Sequence, residues 1–498
     1  MLVTALTAAS LANGFAIPAP RHFNRPAITH TQKKNYPLRR GTNSVYAQQI
    51  PSVALQANGD IEDDICVIGG NVVDQCEVSV TGDQSQNSAA INLSKCICGA
   101  GSFALPHVFL EEGVLGGTLA IALCGALAAL TMQSLSDSKL KASAAEVSQG
   151  RKKIASYVEL ARTSLGEPAA KVVFFLTLFA SLGVCSTYLV FIGSTLESMS
   201  CDANADNIIR ALAPNVDELT WEVAAALVLY PLSLIRDYSV FAFTSTLGVI
   251  AVLGGIVVTL AYGILVDPGG GLSVAVDAVE TLPLWPSSMS DAFGGSFGTL
   301  CYLFAINFLT FPVMNSLEKP KDFDGAIEKA VVVVLVVNVA FAILALGFYG
   351  EETQDLILAN LENGPYLSAL KCLLCIDLLL TYPIVFSSGR QILENAIIGS
   401  YDRSEETGEP VLARAGIVAG AVGASFALAQ IGGFGVVANL VGGVAQGTLA
   451  FIMPPAIAIA LLDEENDEDT GKDKIAQYAI GLFGGATVLA VTYFTITA

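Results

Sequence analysis

The stretch CGAGSFALP, residues 98–106, decides how the chain is read. Its glycines and alanine fit G-x-G-x-x-A, the spacing of a turn that cradles a dinucleotide phosphate. Such a turn needs a strand before it and a soluble helix after it. Here NLSKCIC precedes and PHVFLEEGVLGG follows. The strand is missing, and Pro106 falls where the helix would be running. The competing reading is a membrane helix interrupted near its midpoint. Gly99, Ala100 and Gly101 lack bulk, and glycine costs a helix about 1 kcal/mol against alanine. Pro106 removes a donor and disfavours helical backbone at Leu105. A simple proline kink in a packed helix is the plainer alternative.

The rest of the chain favours the membrane. Of 498 residues, 53% are hydrophobic and only 14% are charged, with a mean hydropathy of +0.60. Soluble domains carry about 25% charged residues, so this chain has too little charge to coat a globular surface of its size. Apolar runs recur at the length of about 20 residues that crosses the hydrocarbon layer. A net charge of −20 offers no basic stripe to neutralise phosphates, which excludes nucleic acid as a partner. The ten cysteines are scattered. Cys372 and Cys375 form a lone C-x-x-C inside an apolar run, which reads as packing rather than a metal or redox site.

From residue 92 onward, run length gives about eleven spans: 92–110, 113–134, 168–197, 221–235, 239–265, 292–316, 328–349, 365–388, 411–430, 434–461 and 475–497. Residues 151–166 are amphipathic and read as a surface helix. The basic residues alternate across the membrane. One face holds Lys139, Lys141, Arg151, Lys152, Lys153, Arg162, Arg236, Lys319, Lys321, Lys329, Arg390, Arg403, Arg414, Lys472 and Lys474. The other holds Arg210 and many acids, among them Glu111, Glu112, Asp202, Asp217, Asp267, Glu280, Glu351 and Glu352. This positive-inside bias places the N-terminus on the basic side. Five spans after the first comes a second weak point, with Gly294, Gly295 and Gly298 early, Asn307 in mid-membrane and Pro312 beyond it. Interruptions in corresponding spans of two halves are the mark of an inverted repeat around a midplane site. There, half-helix N-termini offer N–H groups to a carboxylate and loose carbonyls can hold a cation. The expected class is an all-α polytopic membrane protein, an inverted five-plus-five repeat with spans one and six broken and one extra C-terminal span.

Ahead of these spans, residues 1–59 contain no Asp or Glu. Ala12 and Gly14 are small residues before a cut preceding Phe15, as in a signal peptide, although the apolar stretch is short and lacks a basic start. Arg21, Arg25, Lys33, Lys34, Arg39 and Arg40 then form an acid-free basic stretch, as in an organelle transit peptide. Together they are similar to the two-part plastid presequences of algae with secondary plastids, with an ordinary disordered tail as the alternative. Residues 60–90 carry Asp60, Glu62, Asp63, Asp64, Asp74, Glu77 and Asp83 and read as an acidic, solvated linker. Residues 91–498 form the transmembrane domain. The expected location is a plastid envelope, or else an endomembrane or the plasma membrane.

Several segments, in order, resemble the amino acid/auxin permease family, whose architecture is the broken-helix five-plus-five fold. They are GAGSFALPHVF; YVELARTSLG; LGVCSTYLVFIG; YPLSLI; FPVMNSLEKPKDF; DLLLTYPIVFSSGRQILE; and GFGVVANLVGGVAQGTLAFIMPP. The likeness covers about residues 92–498. His107, where family members often have an aromatic residue, and the pair Glu111–Glu112 depart from the family pattern. The resemblance implies secondary transport of amino acids coupled to protons or sodium, with no cofactor. It implies a site between spans one and six, walled by spans three and eight. Gly99, Ala100, Gly101 and Ser102 match the unwound segment and would bind the substrate carboxylate, with Phe103 included in the substrate set. Phe304, Ala305, Ile306 and Asn307 match the second break and would face the amino group or side chain. Tyr188 would close over the substrate.

Span eight also holds Asp377, with Thr381 one turn on along the same face. A carboxylate at the bilayer centre costs about 2.5–3.5 kcal/mol on insertion scales. Asp377 either takes up a proton or joins Thr381 and span-one carbonyls in ligating sodium; pairing with a polar neighbour is the structural alternative. Lys371 is expected to snorkel outward, and His107 is read as a satisfied histidine or a proton relay. A membrane enzyme is disfavoured because the three histidines, His22, His30 and His107, form no cluster with carboxylates and no nucleophile–base pair stands out. A channel is disfavoured because no ring of pore residues is visible. An amino-acid-sensing protein with little flux is the functional alternative. A fluorescent reporter fused after residues 1–60 is expected to reach an organelle; diffuse cytosolic signal would end the presequence reading.

Overall fold

The computed structural model describes residues 67–68, 71–72 and 84–497, except 152, 155, 203–206, 236–241, 267–269, 305, 399–410 and 466–470. The cut after Gly14, the basic presequence and most of the acidic linker lie outside the described residues. In the N-terminal unit, Val67–Ile68 (β1) and Asn71–Val72 (β2) pair antiparallel.

The membrane unit opens with α1, Gln86–Ile97. Ser85 caps it, its hydroxyl accepting from Ser88 N at 3.3 Å, so the first span begins six residues before the position expected from hydropathy. The helix then breaks. Cys98 turns to φ −76°, ψ 71° and Gly99 is extended at φ −109°, ψ −150°. A tight 3₁₀ turn over Ala100–Ala104 leads into α2, Leu105–Glu112, and the two halves meet at 48°. Pro106 does not cause the break. It sits in the first turn of α2, where its missing N–H costs nothing and its fixed φ suits a helix start.

The long helix α3, Val114–Ser148, outruns its apolar stretch and carries Lys139 with it. Lys139 is therefore not a loop cation: its ammonium donates to Asn315 Oδ1 at 2.9 Å and stands 4.5 Å from the Phe311 ring centre. The surface helix α4, Tyr157–Leu165, is fastened by the Tyr157 hydroxyl donating to Leu449 O at 2.9 Å. Then come α5, Glu167–Cys201; α6, Glu218–Leu234; and α7, Ala242–Leu265. The sixth span enters by a wide π turn, Asp291–Ser296, and runs as α8, Phe297–Phe304. Its winding is interrupted before a 3₁₀ turn at Asn307–Leu309, and α9, Thr310–Ser316, completes it. After these come α10, Phe323–Tyr349; α11, Pro365–Ile397; and α12, Val411–Ala429. The tenth span is α13, Phe434–Leu440, two further π turns and α14, Met453–Glu465. The last helix is α15, Gly471–Thr497.

Among the described residues, nine helices are long and apolar enough to cross a membrane, or ten with the bent first pair as one span. The sequence count of eleven also includes α6, whose 17 residues are at the short limit of about 17–25. The fold is an all-helical membrane bundle.

Two apolar cores organise it. One gathers α1, α2, α3 and the sixth, seventh and tenth spans around Leu93, Met132, Phe304 and Phe323. The other gathers α5, α6, α7, α11 and α12 around Phe103, Phe191, Tyr382 and Phe386. Where the sixth and tenth spans cross, backbone meets backbone. A Cβ on Gly442 would overlap the Gly298 carbonyl oxygen and stand 2.5 Å from Tyr302 N, so only glycine permits the approach. Asn439 stitches the same crossing. It accepts from Gly298 N at 2.6 Å and donates to Gly294 O at 2.7 Å and Thr495 Oγ1 at 3.0 Å. Those bonds serve backbone groups that the π turn leaves open. Asn439→Ala strands them in an apolar setting, at about 1–3 kcal/mol for a buried unsatisfied group. The purified variant is expected to melt at a clearly lower temperature in detergent; an unchanged melting point would remove this clamp from the account.

Candidate functional site

The break in span one lies against span six. At Gly101, the space a Cβ would take is 3.3 Å from Leu303 Cδ1 and 3.4 Å from the Tyr302 ring. The Tyr302 hydroxyl reaches across to span three, 2.8 Å from Thr187 Oγ1. Tyr302 thus spans the seam between the two cores. Above it sits Phe434, ring centre 6.5 Å from Tyr302 and 6.3 Å from Phe191. Beyond Phe434 a cavity of about 320 Å³ opens, lined by Ser194, Glu218, Asp355 and Leu356 among others. These residues belong to the acidic face, so the arrangement reads as an acid-rimmed vestibule, an aromatic floor, and the interrupted helix beneath.

The backbone at the break bonds over short range. Cys98 N donates to Ser94 O at 2.8 Å, Gly99 N to Ile97 O at 2.9 Å and Ser102 N to Gly99 O at 3.1 Å. The first continues the i→i−4 ladder of α1, and the other two are short-range bonds that take over where it ends. Span seven contributes Asn338, fully buried, whose amide donates to Cys98 Sγ at 3.6 Å. Its Oδ1 has no hydrogen-bond partner among the described residues.

The residues expected from sequence divide. Gly99, Ala100, Gly101 and Ser102 form the unwound segment, and Ser102 is fully buried. Phe103 packs into the second core, between Phe191 at 6.2 Å and Phe341 at 6.1 Å. Tyr188 is half-buried on α5, one residue from Thr187. Phe304 and Ile306 are buried in the first core, while Ala305 lies outside the described residues. Asn307 reaches span two, its amide donating to Thr131 Oγ1 at 3.1 Å. Its Oδ1 has no partner among the described residues. Asp377 and Thr381 share a face of α11, with Thr381 Oγ1 3.5 Å from Asp377 Oδ1.

Other polar residues are placed differently from the expectation. Lys371 does not snorkel outward. It is fully buried and donates to Leu361 O at 3.0 Å and Asn363 Oδ1 at 2.7 Å, because the chain after α10 folds back over it. Arg390 is buried within α11 rather than in a loop. It donates to Ser233 O at 2.6 Å and Ile235 O at 3.2 Å, closing the end of α6. His107 is a partnered histidine: Nδ1 lies 3.1 Å from Thr353 O, and Nε2 lies 3.4 Å from Asp355 and 3.5 Å from Glu111. Glu112 accepts from Ser296 at 2.9 Å, joining α2 to the start of span six. Glu222 on α6 is a buried acid bonded to Gln430, and hydropathy alone passes over it because it sits at the edge of its apolar run.

The chain is 25% identical to the amino acid transporter ANT1 of Arabidopsis thaliana over 74% of its length and 83% of that protein's. To AVT3C of the same plant it is 25% identical over 62% of its length and 70% of that protein's. It is 22% identical to vacuolar amino acid transporter 3 of Saccharomyces cerevisiae over 62% of its length, covering 41% of that protein. Among solved structures, a Na⁺-coupled sialic acid symporter in a substrate-bound outward-open state superposes with a TM-score of 0.52 at 13% identity, over 84% of this chain and 90% of that one; this shows a shared fold. The profile of the family described as transmembrane amino acid transporter protein matches residues 82–497. The chain is an integral membrane protein that belongs to the transmembrane amino acid transporter family, a family of carriers and not of enzymes.

Proposed function

We propose that the protein is a cation-coupled secondary transporter of amino acids, working by alternating access. The observation that carries this is the place of the break: span one loses its winding at Cys98 and Gly99, against Tyr302, on the seam between two apolar cores. Two rigid bodies with a seam can rock about it, and peptide groups freed at mid-membrane can take up a zwitterion's charged ends. The Gly99 to Ser102 segment binds the carboxylate. The span-six break lies toward the amino group and side chain. Tyr302 and Tyr188 close over the bound solute from the vestibule side. Asp377, with Thr381 beside it, is the coupling carboxylate for a proton or sodium ion, and the coupling makes the transporter a symporter.

The vacuolar transporter among its relatives supports an endomembrane, while the basic presequence supports a plastid envelope. The decisive experiment is uptake of labelled amino acids into liposomes holding the purified chain, under imposed pH or sodium gradients. Binding without uptake would favour the sensing alternative and defeat the transport reading. Asp377→Asn is expected to abolish gradient-driven accumulation, and unchanged gradient dependence would refute the coupling role. Tyr302→Phe deletes one hydrogen bond, worth about 0.5–1.5 kcal/mol. It is expected to raise KM about two- to ten-fold in a protein that still folds, and an unchanged KM would take Tyr302 out of the site.

A further inference from the structure

The side chain that faces Asp377 across the bundle is a lysine. Lys95 lies in the last turn of α1, just before the break, and Asp377 is buried on α11 at 5% exposure. The two converge at Gly248 of α7. The point where a Cβ on Gly248 would stand is 2.8 Å from Lys95 Nζ and closer still to Asp377 Oδ1. Ammonium and carboxylate are therefore inside the roughly 6 Å over which opposite charges stabilise each other. A glycine at this position is what lets both side chains reach one spot, since any larger residue would fill it. The end of α1 adds to the attraction, because a cation there meets the negative end of the helix dipole.

The other groups electrostatically close to Asp377 are Thr381 on its own helix and Tyr188 on α5, and Cys96 stands beside Lys95. A thiol, a phenol and a hydroxyl are all essentially uncharged at pH 7. Lys95 is thus the positive charge of this cluster among the described residues. A sodium ion brought to the same carboxylate would meet the ammonium at close range, where like charges repel.

We propose that the Lys95 ammonium is the built-in cation of the Asp377 carboxylate. It takes the position that a sodium ion would need between α1, α7 and α11, so the transport cycle runs without sodium and the proton is left as the driving ion. This deepens the reading of Asp377 as the coupling carboxylate and rests on it. Lys95 is on the same half-helix that leads into the unwound segment, so the state of the pair is felt where substrate binds.

The test uses the full chain in liposomes and separates the two claims. Counterflow of labelled amino acid, which needs no ion gradient, reports transport itself; its absence in the wild type overturns the transport reading and, with it, the proposed cycle. With counterflow in hand, an inward pH gradient is expected to drive accumulation equally in sodium and in choline. A sodium gradient at equal pH is expected to change initial uptake by less than about two-fold, the ammonium's charge keeping the ion away. Sodium-driven accumulation by the wild type overturns the inference while leaving transport standing. Lys95→Gln, which removes the charge, and Gly248→Ala, which removes neither charge but fills their meeting point, are both expected to lose pH-driven accumulation. A Lys95→Gln protein that accumulates like the wild type also sinks the inference. Melting of the detergent-solubilised wild type in sodium chloride against choline chloride needs no variant and no flux. A sodium-specific rise in its melting temperature would show that a metal ion, and not Lys95, holds the site.

Discussion

A bilayer interior offers no water to a peptide group, and this one constraint explains most of what the polar residues of the chain do. Wherever the helical ladder is interrupted, a side chain or a short-range backbone bond stands in. At the span-one break the replacement is local, with Gly99 N on Ile97 O and Ser102 N on Gly99 O. At the span-six π turn it is Asn439, reaching from the tenth span to Gly294 O and Gly298 N. At the end of α6 it is Arg390. The break in span one stands out because its position is the seam.

That difference converts a local irregularity into a device. Spans three, seven and ten each put residues into both cores, and the cores adjoin where Tyr302 of span six meets Gly101 and Thr187. Packed cores resist continuous deformation, so a change at the seam is absorbed by relative movement of whole bodies. Links on the acidic face join the bodies from above: Phe434 between Tyr302 and Phe191, and His107 of α2 held by Thr353 and Asp355. The vestibule therefore ends on side chains that belong to both bodies.

How much of this was legible in the sequence follows from what each signal measures. Run length found the spans because hydrocarbon thickness fixes it, and the glycine-rich stretch at residues 98–106 located the first break. The cause was misread: proline looks like a breaker in sequence, yet Pro106 starts a helix, and the backbone gives way at Cys98 and Gly99. Helix ends were misjudged where polar residues carry a helix past its apolar run, as α3 does through Lys139. Asp377 was legible because a lone acid in lipid is expensive. Lys95 obeys the same rule but stands near the start of its run, where a lysine passes for a boundary residue. Tyr302, Asn338 and Gly248 left no signal, since each matters only for what other helices bring to it.

Four of the cations that reach into the bundle sort by the partner each one meets. Arg390 and Lys371 donate to carbonyl oxygens at points where chain segments end or fold back, and Lys139 to the side-chain amide of Asn315. Each therefore fastens one segment to another through a neutral acceptor, Arg390 also lying 3.8 Å from Glu394 on its own helix. Lys95 instead faces a carboxylate across a helix that carries glycine at the meeting point. A neutral acceptor fixes a position, whereas an ionisable acceptor makes the strength of the attachment depend on which ions are bound. Three of these cations stabilise one arrangement of the bundle. Lys95, at the end of the half-helix that opens toward substrate, is the one whose hold can be released and remade within a transport cycle.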